Sequence, residues 1–100
     1  MFVHSVYFWL KEKDNTEAQQ ALLAGLKTLE SIEAVHTAYV GVPAETRRPV
    51  IDHSYDFSLV LVFTDQAAHD IYQEHPVHLK FVENCAHLWD RVQIYDAVLA

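Results

Sequence analysis

The chain predicts an α+β fold in which four strands and intervening helices follow the order β-α-β-β-α-β. Three observations carry this expectation. Runs rich in aromatic and β-branched residues open the chain, close it and stand in its middle. Between them, apolar residues recur at intervals of three and four. The first and third strand-like runs are also apolar on both sides, which helices on one face of a sheet cannot cover.

Phe2 to Leu10 (FVHSVYFWL) is the first strand. Phe2, His4, Val6, Phe8 and Leu10 share one face, and Val3, Ser5, Tyr7 and Trp9 share the other. Lys11 to Asp14 is a polar turn. Asn15 or Thr16 caps a helix running to about Ser31. Its apolar stripe is Ala18, Leu22, Leu26, Leu29 and Ile32, with Ala21 and Leu23 alongside. Glu33 to Val42 is the second strand, ended by Pro43. Ala44 to Tyr55 is a loop holding Arg47, Arg48, Pro49 and His53, and a loop of that length is usually functional or engaged by a partner. Asp56 to Thr64 is the third strand, with Phe57, Leu59, Leu61 and Phe63 on one face and Val60 and Val62 on the other. Thr64 or Asp65 caps a short helix through Glu74. Pro76 has no N–H to donate, so it breaks the periodicity and starts a further helix over about Val77 to Ala86. Leu88 to Val98 is the last strand.

One hundred residues make a single domain, 1–100, without repeat, low-complexity tract or linker. A domain this small is marginal alone, and Cys85, the only cysteine, offers no disulfide staple. Two copies packed sheet to sheet about a two-fold axis supply the missing burial, so a homodimer is expected. A net charge of −7, with seven scattered Lys and Arg, argues against nucleic acid and against anionic membranes. No apolar run approaches the roughly 20 residues of a membrane span. Met1 to Leu10 lacks the basic flank and cleavage site of a signal peptide. With a single cysteine, these features make the cytoplasm the expected location.

The chemistry-bearing residues gather in Tyr72-Gln73-Glu74-His75-Pro76-Val77-His78, followed by Leu79-Lys80-Phe81. Trp89 and Asp90, with Ile94 and Asp96, mark the last strand, and His4 stands inside an apolar strand face. In the pattern Y-x-x-H-P-x-H-x-x-F, in the opening strand with its histidine and in the closing strand beginning at Trp89, the chain resembles the stress-responsive A/B barrel (DABB) family of the dimeric α/β-barrel superfamily. The resemblance covers nearly the whole chain. It implies a ferredoxin-like fold with a four-stranded antiparallel sheet, assembled as a dimeric α/β barrel.

That family is functionally mixed. Its plant polyketide cyclases of the olivetolic acid cyclase type are cofactor-free and close a ring by aldol condensation of a linear poly-β-keto thioester. Position by position, the resemblance implies Tyr72 and His78 as catalytic, His4 as pocket-lining and Trp89 as pocket wall. His75 matches the motif histidine without a catalytic role. Val6, Phe8 and Phe81 complete the expected pocket. The first helix (ALLAGLKTLESI) carries leucines and alanines where the cyclases place aromatics along an acyl tunnel. The substrate is therefore not carried over.

The chemistry is physically reasonable. Histidine titrates near neutrality and can take a proton beside a carbonyl. A tyrosine hydroxyl can donate to the developing enolate oxygen. His78 is thus the candidate base and Tyr72 its partner, acting on a small apolar carbonyl compound with no cofactor. Two other readings apply to the same motif. His75 can cap the helix that starts at Pro76. Alternatively, His75 and His78 can hold a metal, although no H-E-x-x-H or cysteine pair is present and no metal is expected. For the whole protein, the alternatives are a non-enzymatic dimer that binds a small ligand or another protein, and a haem-binding or monooxygenase-type member of the superfamily. His36, His53, His69 and His87 are expected at the surface or an interface. Cys85 is expected as a small buried hydrophobe, and Arg47 and Arg48 as solvated loop residues or cross-dimer contacts.

Overall fold

The computed structural model describes residues 1–100. Strand β1 (Phe2–Leu10) leads into helix α1 (Thr16–Thr28), then β2 (Thr37–Gly41), β3 (Phe57–Phe63), α2 (Gln66–Glu74), α3 (Pro76–Cys85) and β4 (Trp89–Val98). The strands form one antiparallel sheet in the order β2-β3-β1-β4, which is the ferredoxin-like arrangement. The two strands that are apolar on both sides, β1 and β3, take the central places.

Local chemistry sets each helix end. The Asn15 side chain accepts from the Ala18 N–H at 3.0 Å, and Asp65 accepts from the Ala68 N–H at 2.9 Å. Glu17 in the first turn of α1 and Lys27 in its last turn complement the helix dipole. A short 3-10 turn, Leu29–Ser31, carries the apolar stripe on to Ile32. At Pro76 the chain breaks into two helices. His75 is extended there, and its Nδ1 accepts from the Val77 N–H at 3.1 Å.

The helices cover one face of the sheet. Phe2, Val6, Phe8 and Leu10 of β1 and Phe57, Leu59, Leu61 and Phe63 of β3 pack there against Leu22, Leu26, Leu29, Tyr72 and Phe81. Burying each such side chain contributes about 1.5–3 kcal/mol. Cys85 is buried in the same core, as expected. The helices lie over β1 and β3, so Val92, Ile94 and Val98 of edge strand β4 remain exposed. On the opposite face no helix lies, and Tyr39 and Tyr95 are each 62% exposed.

The second strand is shorter than expected, starting at Thr37 rather than Glu33. Ile32 is buried in the core, so the chain must turn before it can join β3. The Val35 N–H closes that turn on the Ile32 carbonyl at 3.0 Å. The long loop is engaged by its own sheet. Its Ser54 Oγ accepts from Trp9 Nε1 at 3.0 Å, and Tyr55 meets Tyr7 edge-on at 5.0 Å. Arg47 donates to the carbonyls of Ala44 and Thr46, within the loop itself.

Candidate functional site

The break at Pro76 positions the motif. In an unbroken helix the Val77 N–H would bond the Gln73 carbonyl. Here His75 takes that N–H, and the Gln73 carbonyl is left at the open end of α2. His78 fills the gap: its Nδ1 lies 3.0 Å from the Gln73 oxygen. A carbonyl only accepts, so Nδ1 carries the proton and Nε2 keeps a free lone pair. Burial pushes the His78 pKa below its ordinary value, while the bond to Gln73 pulls it back up. The neutral imidazole, the form able to take a proton, is thus favoured.

Tyr72 lies beside it, with ring centroids 4.6 Å apart. The tyrosine is 1% exposed, and burial pushes its pKa well above the usual phenol range. It therefore stays an O–H donor. No enclosed side-chain polar atom in the protein lacks a partner, and the Tyr72 hydroxyl bonds to none of its neighbours. The hydroxyl at the tip of this ring is therefore only just short of full enclosure.

His4 approaches the same group from β1, with its ring 5.9 Å from that of Tyr72. It is 3% exposed. Strand register places it directly opposite Asp96 of β4, and its Nδ1 stands 2.5 Å from the Asp96 Oδ1. Burial lowers the His4 pKa, against the pull of Asp96.

Trp89, Phe8 and Phe81 form a second group. Phe81 stacks on Trp89 at 5.7 Å, and Phe8 lies 5.0 Å from the Trp89 ring. Phe8 is four residues along β1 from His4, about 13 Å. The expected pocket residues thus spread along one strand, with Val6 in the core between the two groups. Several surface depressions lie elsewhere. One of about 300 Å³ on the open sheet face is lined by Tyr7, Trp9, Tyr55, Arg91 and Tyr95, among others. Another, of about 520 Å³, runs between α1 and α3 and touches Phe81 and Cys85.

One expectation is corrected. His69 is not a surface residue: it is buried, stacked on Phe2 at 4.4 Å and edge-on to Phe63 at 5.5 Å. It stands 5.0 Å from the His4 ring. The helical position of His69 could have flagged this, since it lies three residues before Tyr72 on the same face. The pairing of His4 with Asp96 had no local signal.

A pH effect follows from His78. Its folded pKa lies below the ordinary 6.5, so the unfolded chain binds its proton first as pH falls. Stability should drop below about pH 6.5 and level off once the folded pKa is passed. His78→Gln should melt with a shallower acid dependence than wild type over that window. Parallel melting curves of the two proteins against pH would contradict this.

Residues 2–99 match the family described as Stress responsive A/B Barrel Domain. Among solved structures, a DABB-family protein with a ferredoxin-like fold from Mesorhizobium loti is 28% identical, with a TM-score of 0.81 over 99% of this chain and 96% of that one. A dimeric ferredoxin-like protein of unknown function from Thermobifida fusca is 17% identical, with a TM-score of 0.78 over 98% and 90% of the two chains. A hydroxynitrile lyase from Passiflora edulis is 13% identical, with a TM-score of 0.79 over 99% and 93%. No curated protein matches.

Proposed function

The chain belongs to the stress responsive A/B barrel domain family, and from that premise we propose that it is a cytoplasmic homodimer binding a small, mostly apolar carbonyl compound beside Tyr72 and His78. The observation that carries this reading is the free Nε2 of His78. The Gln73 carbonyl holds its tautomer, and a neutral, donating Tyr72 lies next to it. A carbonyl oxygen would accept from the Tyr72 hydroxyl, and His78 would face the carbon beside it. His4 adds a polar contact, and Phe8, Val6, Phe81 and Trp89 extend the apolar wall. His75 acts through the break it caps, which sets His78 against Tyr72.

The same groups support a cofactor-free lyase or cyclase-type reaction. His78 would take the proton alpha to the carbonyl, and Tyr72 would hydrogen-bond the enolate oxygen as charge develops there. A hydroxynitrile lyase among the fold neighbours is consistent with an enzyme on this fold.

The dimer reading is supported by the open sheet face, where Tyr39 and Tyr95 stand exposed, and by neighbours described as dimeric. No helix is long and apolar enough to cross a membrane.

The test is a thermal-shift screen of small ketones and aldehydes on wild type, His78→Ala and Tyr72→Phe, with sedimentation of the wild type alongside. A ligand at a hundred times its Kd should stabilise wild type by about 2.7 kcal/mol. Both variants should lose that shift. A screen in which no compound stabilises wild type, or in which all three proteins shift equally, overturns the ligand site. A stable monomer at micromolar concentration overturns the dimer.

A further inference from the structure

Three side chains from three elements converge at one edge of the helix–sheet junction: His4 from β1, Asp96 from β4 and His69 from α2. Each offers a ligand atom, and these atoms all lie within 4.8 Å of one another. We propose that His4, His69 and Asp96 form a binding site for a divalent transition-metal ion of the zinc class. The site shares His4 with the carbonyl-binding reading but needs neither Tyr72 nor His78, so either can fail without the other.

The donor set favours this class of ion. Two imidazoles and one carboxylate suit zinc, cobalt, nickel or ferrous iron, whereas calcium and magnesium prefer oxygen donors alone. Three protein ligands leave a fourth position for water. The access is right as well: both histidines are buried, while the Asp96 side chain is 40% exposed and marks the entrance.

The rings are held before any ion arrives. His69 is fixed between the face of Phe2 and the edge of Phe63. Its Nδ1 lies 3.1 Å from the Asp70 carboxylate, which accepts the ring N–H. That leaves the lone pair on Nε2, which the Gln73 amide meets at 3.0 Å. A carboxylate on the non-ligating nitrogen is the usual support of a metal-bound histidine.

Strand register sets the other two ligands. His4 Nδ1 donates to the Asp96 carboxylate at 2.5 Å. Ligand atoms about 2.1 Å from a tetrahedral ion stand about 3.4 Å apart. The ion would take the place of the Nδ1 proton, widening the His4–Asp96 pair by about 1 Å and drawing His69 inward by a similar amount. Neutral His4 takes up a proton at Nε2 as it loses the one at Nδ1, so no net proton is released, and His69 Nε2 exchanges its hydrogen bond from the Gln73 amide for the ion.

Metal-free protein is titrated with Co²⁺, read by its d–d absorption, and the ion is then displaced with Zn²⁺. One Co²⁺ per chain with the intense band of four-coordinate cobalt is expected. His69→Ala and Asp96→Asn should each weaken binding by at least about tenfold. His53→Ala, on the exposed loop, and Tyr72→Phe should leave it unchanged. His69→Phe, which keeps the stack on Phe2, substitutes for His69→Ala if that variant does not fold. The proposal is overturned if wild type takes up no Co²⁺, or if binding survives in either ligand variant. A site that binds cobalt while no carbonyl compound is retained separates this inference from the preceding one.

Discussion

Phe63→Ala is expected to destabilise the protein by about 3–5 kcal/mol, the cost of emptying a well-packed aromatic site. Phe63 is 0% exposed and is the shared floor of the candidate sites. Its ring lies 5.3 Å from Tyr72, 5.5 Å from His69 and 6.3 Å from Phe2. The cavity cannot close by collapse, because β3 is pinned on both sides by β1 and β2. In a domain of this size each kcal/mol moves the melting temperature by about 4–8 °C, so a fall of roughly 12–40 °C is expected. Phe63→Leu refills most of the volume and should cost less than about 1.5 kcal/mol. Denaturant unfolding of the three proteins checks this. A loss below about 1 kcal/mol for the alanine variant would mean that the ring does not carry the packing assigned to it.

Gly25→Ala should also destabilise, by about 1–3 kcal/mol, although alanine is the better helix residue by about 1 kcal/mol. Gly25 sits where α1 crosses α3. A Cβ there would stand 2.6 Å from the Cys85 Sγ and 3.1 Å from the Phe81 ring. Both neighbours are buried, so the relief must come from moving α3. That helix carries His78, and ligand affinity should fall with stability. Removing the sulfur should restore part of the loss. Gly25→Ala with Cys85→Ala should therefore be more stable than the sum of the single changes, with a coupling of about 0.5–3 kcal/mol. If Gly25→Ala raises the melting temperature, the close approach of α1 and α3 places no demand on this position.

Much of the candidate site was legible because it is local. Tyr72, His75 and His78 lie within one helix-break-helix stretch, and Pro76 announces the break. The capping role of His75 was among the readings the motif allowed, and it is the contact observed. His69 was misread because a polar residue on a short helix looks solvated until its neighbours are known. Phe2 and Phe63 supply those neighbours from two different strands. The second strand was extended too far because Ala34 and Val35 look strand-like. The burial of Ile32 decides instead that those residues turn.

By itself, the sequence determined the order of elements, the buried stripe of α1 and the apolar character of both faces of β1 and β3. These follow from side-chain periods of two and of three to four, which act over a few residues. Only the tertiary structure decided which residues meet across the sheet. His4 and Asp96 are 92 residues apart, and His69 reaches them from a helix. Their meeting depends on the register of β1 against β4 and on the height at which α2 packs. Both are set by the summed fit of the whole core, because a one-residue slip would turn every side chain of a strand to the wrong face.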